Sequence, residues 1–258
     1  MPLRPLNGKQ IFVESEGEEG RPAVLFLHGL GGTTTFFEAQ ARVLAGTHRV
    51  VRFDLPGHGR SPPAGHPTME SIAEDAVALL DVIGVDEAIV VGHSMSTIAA
   101  LRMAERHAQR VAKLVLLGAF RELSPAAREA TRQRAALVRA QGMEAMATAV
   151  ASAASSPRTQ AERPELVGYI RELLLGQDRE GYARACDALA VATAVPLASI
   201  RAPTLLIAGA DDKIAPPAQC EAMAGELARG KLVVLDGCGH WIAIEAAQRV
   251  NAAIRQFV

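Results

Sequence analysis

The chain has 258 residues, 49% of them hydrophobic, enough to bury one large core, and an α/β sheet of this length is routinely a single domain. Lys plus Arg number 27 and Asp plus Glu 28, so no net field favours a phosphate backbone or an anionic membrane surface, and neither nucleic acid nor membrane is an expected partner. No run approaches the roughly 18 apolar residues that span a bilayer. The opening MPLRPLNGKQIFVE lacks the apolar core of a secretory signal, so a cytoplasmic location is expected. The three cysteines, Cys186, Cys220 and Cys238, form no CxxC or His-rich spacing and are expected to be free thiols, with no disulfide framework and no metal site.

Short runs rich in Val, Ile and Leu, bounded by Gly, Pro or Asp, occur at Ala23 to His28, Arg49 to Phe53, Ala88 to Val91, Val111 to Leu117, Thr204 to Ala208 and Leu232 to Leu235. They read as strands buried on both faces. Helix-period stretches fall between or after them at Phe36 to Ala45, Met69 to Ile83, Thr97 to Glu105, Pro217 to Ala228 and Ile242 to Phe257. Alternating β and α elements predict an α/β fold with a mostly parallel, doubly wound sheet. Between about Glu122 and Ala194 the alternation stops and Ala, Arg, Glu and Leu dominate. This stretch, residues 122–194, reads as a helical cap inserted into a core made of residues 1–121 and 195–258. It leaves after one strand and returns before the next, which puts it over the carboxyl ends of the strands, where open α/β sheets bind ligands. The Ala-Ser run Ala147 to Ser156 is its softest part, and a turn is expected within it.

Directly after the strand AIVV comes Gly92-His93-Ser94-Met95-Ser96 and then the helix TIAALRMAE, the strand-turn-helix setting of a nucleophile elbow. A serine hydroxyl is a weak nucleophile until a base removes its proton, and such a turn lifts Oγ clear of the sheet while aiming the next N–H at the substrate oxygen. Alone, Ser94 could equally be a helix cap. Downstream, however, the strand TLLIA runs into Gly209-Ala210-Asp211-Asp212, and KLVVL runs into Asp236-Gly237-Cys238-Gly239-His240-Trp241. The order is serine, acid, histidine, each just past the carboxyl end of a predicted strand, so the three can converge on one sheet edge. Histidine suits the base because it titrates near neutrality and needs an acceptor on its other nitrogen to hold the useful tautomer. Asp212 is the candidate acceptor and Asp211 the alternative, since neighbours in sequence point differently. Ser96 stands where the usual elbow has glycine.

The strand AVLFLH ends in His28-Gly29-Leu30-Gly31-Gly32, a glycine-rich turn placed to supply an oxyanion donor. The N–H groups of Leu30 and Met95 are the candidate pair. His28, His58 and His93 each adjoin a tight turn and read as braces of backbone. Phe120 and Arg121 lead into the cap, and Trp241, the single tryptophan, follows the candidate base. All three are candidate substrate contacts, Arg121 through a carboxylate, although a solvated arginine and a core tryptophan are the plain alternatives.

Taken together, H-G-L-G-G, F-D-L-P-G-H-G-R-S, G-H-S-M-S, G-A-D-D and G-H-W resemble the α/β-hydrolase superfamily over nearly the whole chain. Within it, GYARACDALA before IRAPTLLIAG, together with the methionine of the elbow, is similar to 3-oxoadipate enol-lactonase-like and carboxylesterase-like proteins. The resemblance implies an acyl-enzyme on Ser94 with His240 as base and Asp212 as acid, a small-molecule ester or lactone as substrate, and no cofactor. Carbon–carbon bond hydrolases, perhydrolases and slow-turnover signal-binding proteins of the same superfamily share the triad and remain alternatives. The sequence assigns no oligomeric state.

Overall fold

The computed structural model describes residues 3–258. Eight strands form one sheet: β1 (Leu3–Leu6), β2 (Lys9–Glu16), β3 (Ala23–Leu27), β4 (Arg49–Phe53), β5 (Ala88–His93), β6 (Val111–Leu117), β7 (Thr204–Gly209) and β8 (Gly230–Leu235), in the order β1-β2-β4-β3-β5-β6-β7-β8. From β4 to β8 neighbouring strands run parallel, whereas β1 pairs antiparallel with β2 and β2 with β4. The sheet is mostly parallel, as the alternation of elements predicts.

The antiparallel edge has no counterpart among the predicted strands. Its turn is Asn7-Gly8, with both residues at positive φ (48° and 76°), the conformation a two-residue hairpin needs to match strand twist. Asn7 also donates from its side chain to Asp75 Oδ1 at 3.0 Å. The strands it joins carry mixed polarity and a proline, which hides them from a search for buried runs.

Side chains alternate between the two faces of the sheet and meet helices on both. On one face Leu25, Val51, Val90, Leu114 and Leu206 pack with α2 (Met69–Val82), α3 (Met95–Arg106) and α9 (Pro217–Glu226). On the other, Val24, Val50, Val91, Val115 and Ile207 pack with α1 (Glu38–Leu44), α10 (Ile242–Glu245) and α11 (Ala247–Phe257). Each fully buried Leu, Val or Ile contributes about 1.5–3 kcal/mol, so this double layer fixes the strand ends to which the loops of the site are attached. The single helix expected over Ile242 to Phe257 is broken at Ala246, whose φ and ψ of −126° and 36° are not helical.

Five α-helices lie between β6 and β7: α4 (Pro125–Gln141), α5 (Ala147–Ala154), α6 (Pro157–Glu162), α7 (Pro164–Leu175) and α8 (Arg179–Val191). Their starts are written in the sequence. Ser124, Ser156 and Asp178 cap α4, α6 and α8 through their side-chain oxygens, and Pro125 and Pro157 fill first-turn positions where a missing N–H costs nothing. The Ala-Ser run is largely helical. It is the helix α5, with Ala147, Ala151 and Ala154 buried, and the turn expected inside it falls at its end, on Ser155 and Ser156. Among the described residues no helix is long and apolar enough to cross a membrane.

Candidate active site

Ser94 closes β5 and caps α3 with φ 53° and ψ −122°, a left-handed backbone that a residue with a Cβ adopts only when its surroundings impose it, at roughly 1–3 kcal/mol. The Ser94 N–H donates to Leu117 O on β6, and Thr97 donates twice, from N and Oγ1, to Ser94 O. These bonds hold the elbow while Oγ stands free of the backbone. Ser96 Oγ donates to His28 O at 2.5 Å. The hydroxymethyl group in the usual glycine position thus ties the elbow helix to the glycine-rich turn after β3.

Ser94 Oγ lies 2.8 Å from His240 Nε2, and His240 Nδ1 lies 2.8 Å from Asp212 Oδ2. An ionised carboxylate can only accept, so Nδ1 carries the imidazole proton and Nε2 is left to accept from the serine hydroxyl. The other Asp212 oxygen accepts from Ile214 N at 2.8 Å and Ala215 N at 2.9 Å. Burial works to raise the Asp212 pKa, yet His240 beside it and those two N–H groups outweigh burial and hold the carboxyl below its ordinary value. Ser94, Asp212 and His240 are all buried, whereas Asp211 is exposed and contributes its backbone N–H to Cys238 O.

Neither Leu30 N nor Met95 N has an acceptor among the described residues; Met95 opens α3, where the first N–H groups have no partner within the helix. His28 braces the Leu30 turn. Its Nδ1–H donates to Gly29 O at 2.8 Å, and its Nε2 accepts from Leu55 N at 3.0 Å. Burial drives its pKa down to about 4, which keeps the ring neutral and able to do both. His93 Nε2–H donates to His240 O at 2.8 Å, and burial takes its pKa to about 3.

Beside Ser94 and His240 is a cavity of about 250 Å³, with Leu30, Phe120, Tyr182, Ile214 and Trp241 among its walls. Phe120 and Trp241 are therefore brought to the site. Arg121 is not: its guanidinium pairs with Glu226 at 2.7 Å, outside the cavity. The cation that does line the cavity is Arg134 on α4, together with Lys213, and no aspartate or glutamate lines it. Sequence reasoning missed Arg134, although Ala127, Ala130, Thr131 and Arg134 share one face of α4 at helical spacing and all line the cavity. It also missed Gly118, which follows β6 at φ +56° beneath His240 and Asp212.

The chain matches the family described as alpha/beta hydrolase fold over residues 22–247. It is 30% identical over 240 residues to 3-oxoadipate enol-lactonase 2 of Acinetobacter baylyi, covering 92% of this chain and 89% of that one. Its structure is similar to the enol-lactonase from Burkholderia xenovorans, with a TM-score of 0.93 at 30% identity over 99% of both chains. It is similar also to a thermophilic esterase from Thermogutta terrifontis, with a TM-score of 0.92 at 30% identity over 100% of this chain and 97% of that one. The chain belongs to the α/β-hydrolase family.

Proposed function

We propose that the protein is a serine hydrolase that opens a small carboxylic ester or lactone through an acyl-enzyme, without a cofactor. The observation that carries the reading is the unbroken relay from Ser94 Oγ through His240 to Asp212, with both contacts at 2.8 Å. Ser94 Oγ attacks the carbonyl carbon as His240 Nε2 takes its proton. The N–H groups of Leu30 and Met95 receive the tetrahedral oxyanion, and removing one such donor costs about 2.7–4 kcal/mol in a measured serine protease. Collapse expels the alkoxide, which recovers the proton from His240; in a lactone it stays tethered to the acyl chain. Water, activated by the same imidazole, then releases the acid and frees Ser94.

The names of the enol-lactonase relatives support a lactone, and a cavity of about 250 Å³ suits a compact acyl group. Arg134 and Lys213, with no acidic residue on the walls, support a substrate that carries its own carboxylate. The test combines both points. A fluorophosphonate should label Ser94, located by mass spectrometry, and stop turnover of p-nitrophenyl esters; Ser94→Ala should abolish both, and retained turnover refutes the nucleophile. Arg134→Met should raise KM for a mono-p-nitrophenyl succinate about 10- to 100-fold more than KM for p-nitrophenyl butyrate, the usual weight of a charge-assisted contact. Equal changes for the two esters would remove the carboxylate from the reading.

A further inference from the structure

The main chain at His240 is held from three directions, all of them from outside the triad. His240 N donates to Ala154 O, the last residue of α5 in the cap, at 2.7 Å. His240 O accepts from His93 in the elbow. On either side of the histidine, Gly239 N and Trp241 N each donate at 3.1 Å to the Glu245 carboxylate, the former to Oε2 and the latter to Oε1. The same Oε2 accepts two further bonds from the cap, Ser156 N at 2.9 Å and Thr159 Oγ1 at 2.7 Å. Ser156 Oγ adds a bond to Gly237 O at 3.0 Å. The two backbones approach so closely that a Cβ on Gly239 would lie 2.6 Å from both Ala154 O and Ser156 N.

Four donors converging on one carboxylate, two from the histidine loop and two from the first turn of α6, are more than a helix needs at its end. The break at Ala246 is what leaves Glu245 on the last turn of α10, facing back toward the loop. With His240 as the base, as proposed above, we infer that Glu245 is a positioning residue: it fastens the cap to the peptides flanking the catalytic histidine, so that the seating of the cap and the aim of Nε2 at Ser94 are one mechanical property. An amide cannot replace it. Both carboxylate oxygens accept, and an amide presents N–H in place of one of them, setting donor against donor at Trp241 N or at the Ser156, Thr159 and Gly239 cluster.

The experiment measures kcat and KM for p-nitrophenyl acetate per fluorophosphonate-titrated site, together with the thermal midpoint, for the parent, Glu245→Gln, Thr159→Val and the double variant. Glu245→Gln is expected to lower kcat about 10- to 100-fold with KM within about twofold, the signature of a displaced base in a site that still binds. Thr159→Val, which removes one of the two cap donors and leaves Ser156 N, is expected to lower kcat about fivefold, and the double variant to be little worse than Glu245→Gln. Unchanged kcat per titrated site in Glu245→Gln and Thr159→Val, whatever happens to the midpoint, overturns the inference and leaves Glu245 a stabilising residue. A rise in KM at constant kcat overturns it too, since the contact would then shape the pocket. If Glu245→Gln does not fold, Thr159→Val decides alone on the same criteria. Parent protein that turns over no ester and takes no label overturns the catalytic reading itself, which separates the two failures.

Discussion

Asp212→Asn is the perturbation whose outcome the geometry fixes most tightly. The side chain has two orientations open to it. With the amide oxygen in the place of Oδ1, it keeps the two bonds from Ile214 N and Ala215 N and turns NH2 toward His240 Nδ1. Reversed, it keeps the bond to His240 but faces two N–H donors with two more, which costs twice as many unsatisfied groups. The first orientation wins, so Nδ1 must accept and the imidazole proton moves to Nε2, pointing at Ser94 Oγ. A base in that tautomer cannot take the serine proton, and the expected loss is about 10⁴-fold in kcat, about 5 kcal/mol at 1.36 kcal/mol per decade. Asp211→Asn changes an exposed side chain and should leave kcat within about twofold, the range of ordinary surface substitutions. Steady-state kinetics on p-nitrophenyl butyrate, with circular dichroism to confirm folding, decide the matter. An Asp212→Asn variant that retains more than about a tenth of parental kcat, or an Asp211→Asn variant that falls below a tenth, refutes the assigned relay.

Acid should destabilise the protein well above the carboxylate range. Burial lowers the pKa of His28 to about 4 and those of His58 and His93 to about 3, whereas the unfolded chain protonates them near 6.5. The unfolded state therefore binds more protons below about 6.5, so the stability these groups confer is complete above that pH and falls as pH drops toward 4 and 3. The slope is about 1.4 kcal/mol per group per pH unit. Urea midpoints between pH 7.5 and 5 measure this slope, and a flat profile refutes buried neutral imidazoles. Gly118→Ala should lower kcat about 10- to 100-fold: its Cβ would lie 3.1 Å from His240 Nδ1 and 3.3 Å from Asp212 Oδ2, at a φ of +56° that alanine resists. Parental kcat per titrated site in that variant would mean that the His240–Asp212 pair has room to spare.

The inner strands are legible because a strand covered on both faces can hold little but apolar residues, and β4 and β6 fall on the predicted bounds. The same rule hides β1, at the edge of the sheet, and β2 beside it, where polar residues are free to appear, although Asn7-Gly8 carried a hairpin signal that a search for runs passes over. The stretch Ile242 to Phe257 is helical on both sides of Ala246, and the break comes directly after Glu245, whose carboxylate accepts from the histidine loop. In the cap, alanine-rich sequence carries little period, so α5 is defined by what it packs against rather than by its own pattern.

That difference has a chemical root. A nucleophile, a base and an acid must be particular residue types, and their types together with the strand-end positions make Ser94, His240 and Asp212, in the roles proposed above, visible in the sequence. What aims them is mostly backbone: the carbonyls of Ala154, His28 and Leu117 and the N–H groups of Gly239, Trp241, Ile214 and Ala215. Any residue can offer a carbonyl, and any but proline an N–H, so no side-chain identity records that the end of α5 supports the histidine. The side chains that complete this scaffold are the detectable part of it. Ser96 and His93 are buried polar groups whose partners lie far off in the chain, Ser96 on His28 O and His93 on His240 O, and Glu245 adds two cap donors to those of its own loop. Because an unpaired polar group is expensive to bury, a polar residue without a local partner beside a catalytic motif is a signal that the motif is being held from a distance.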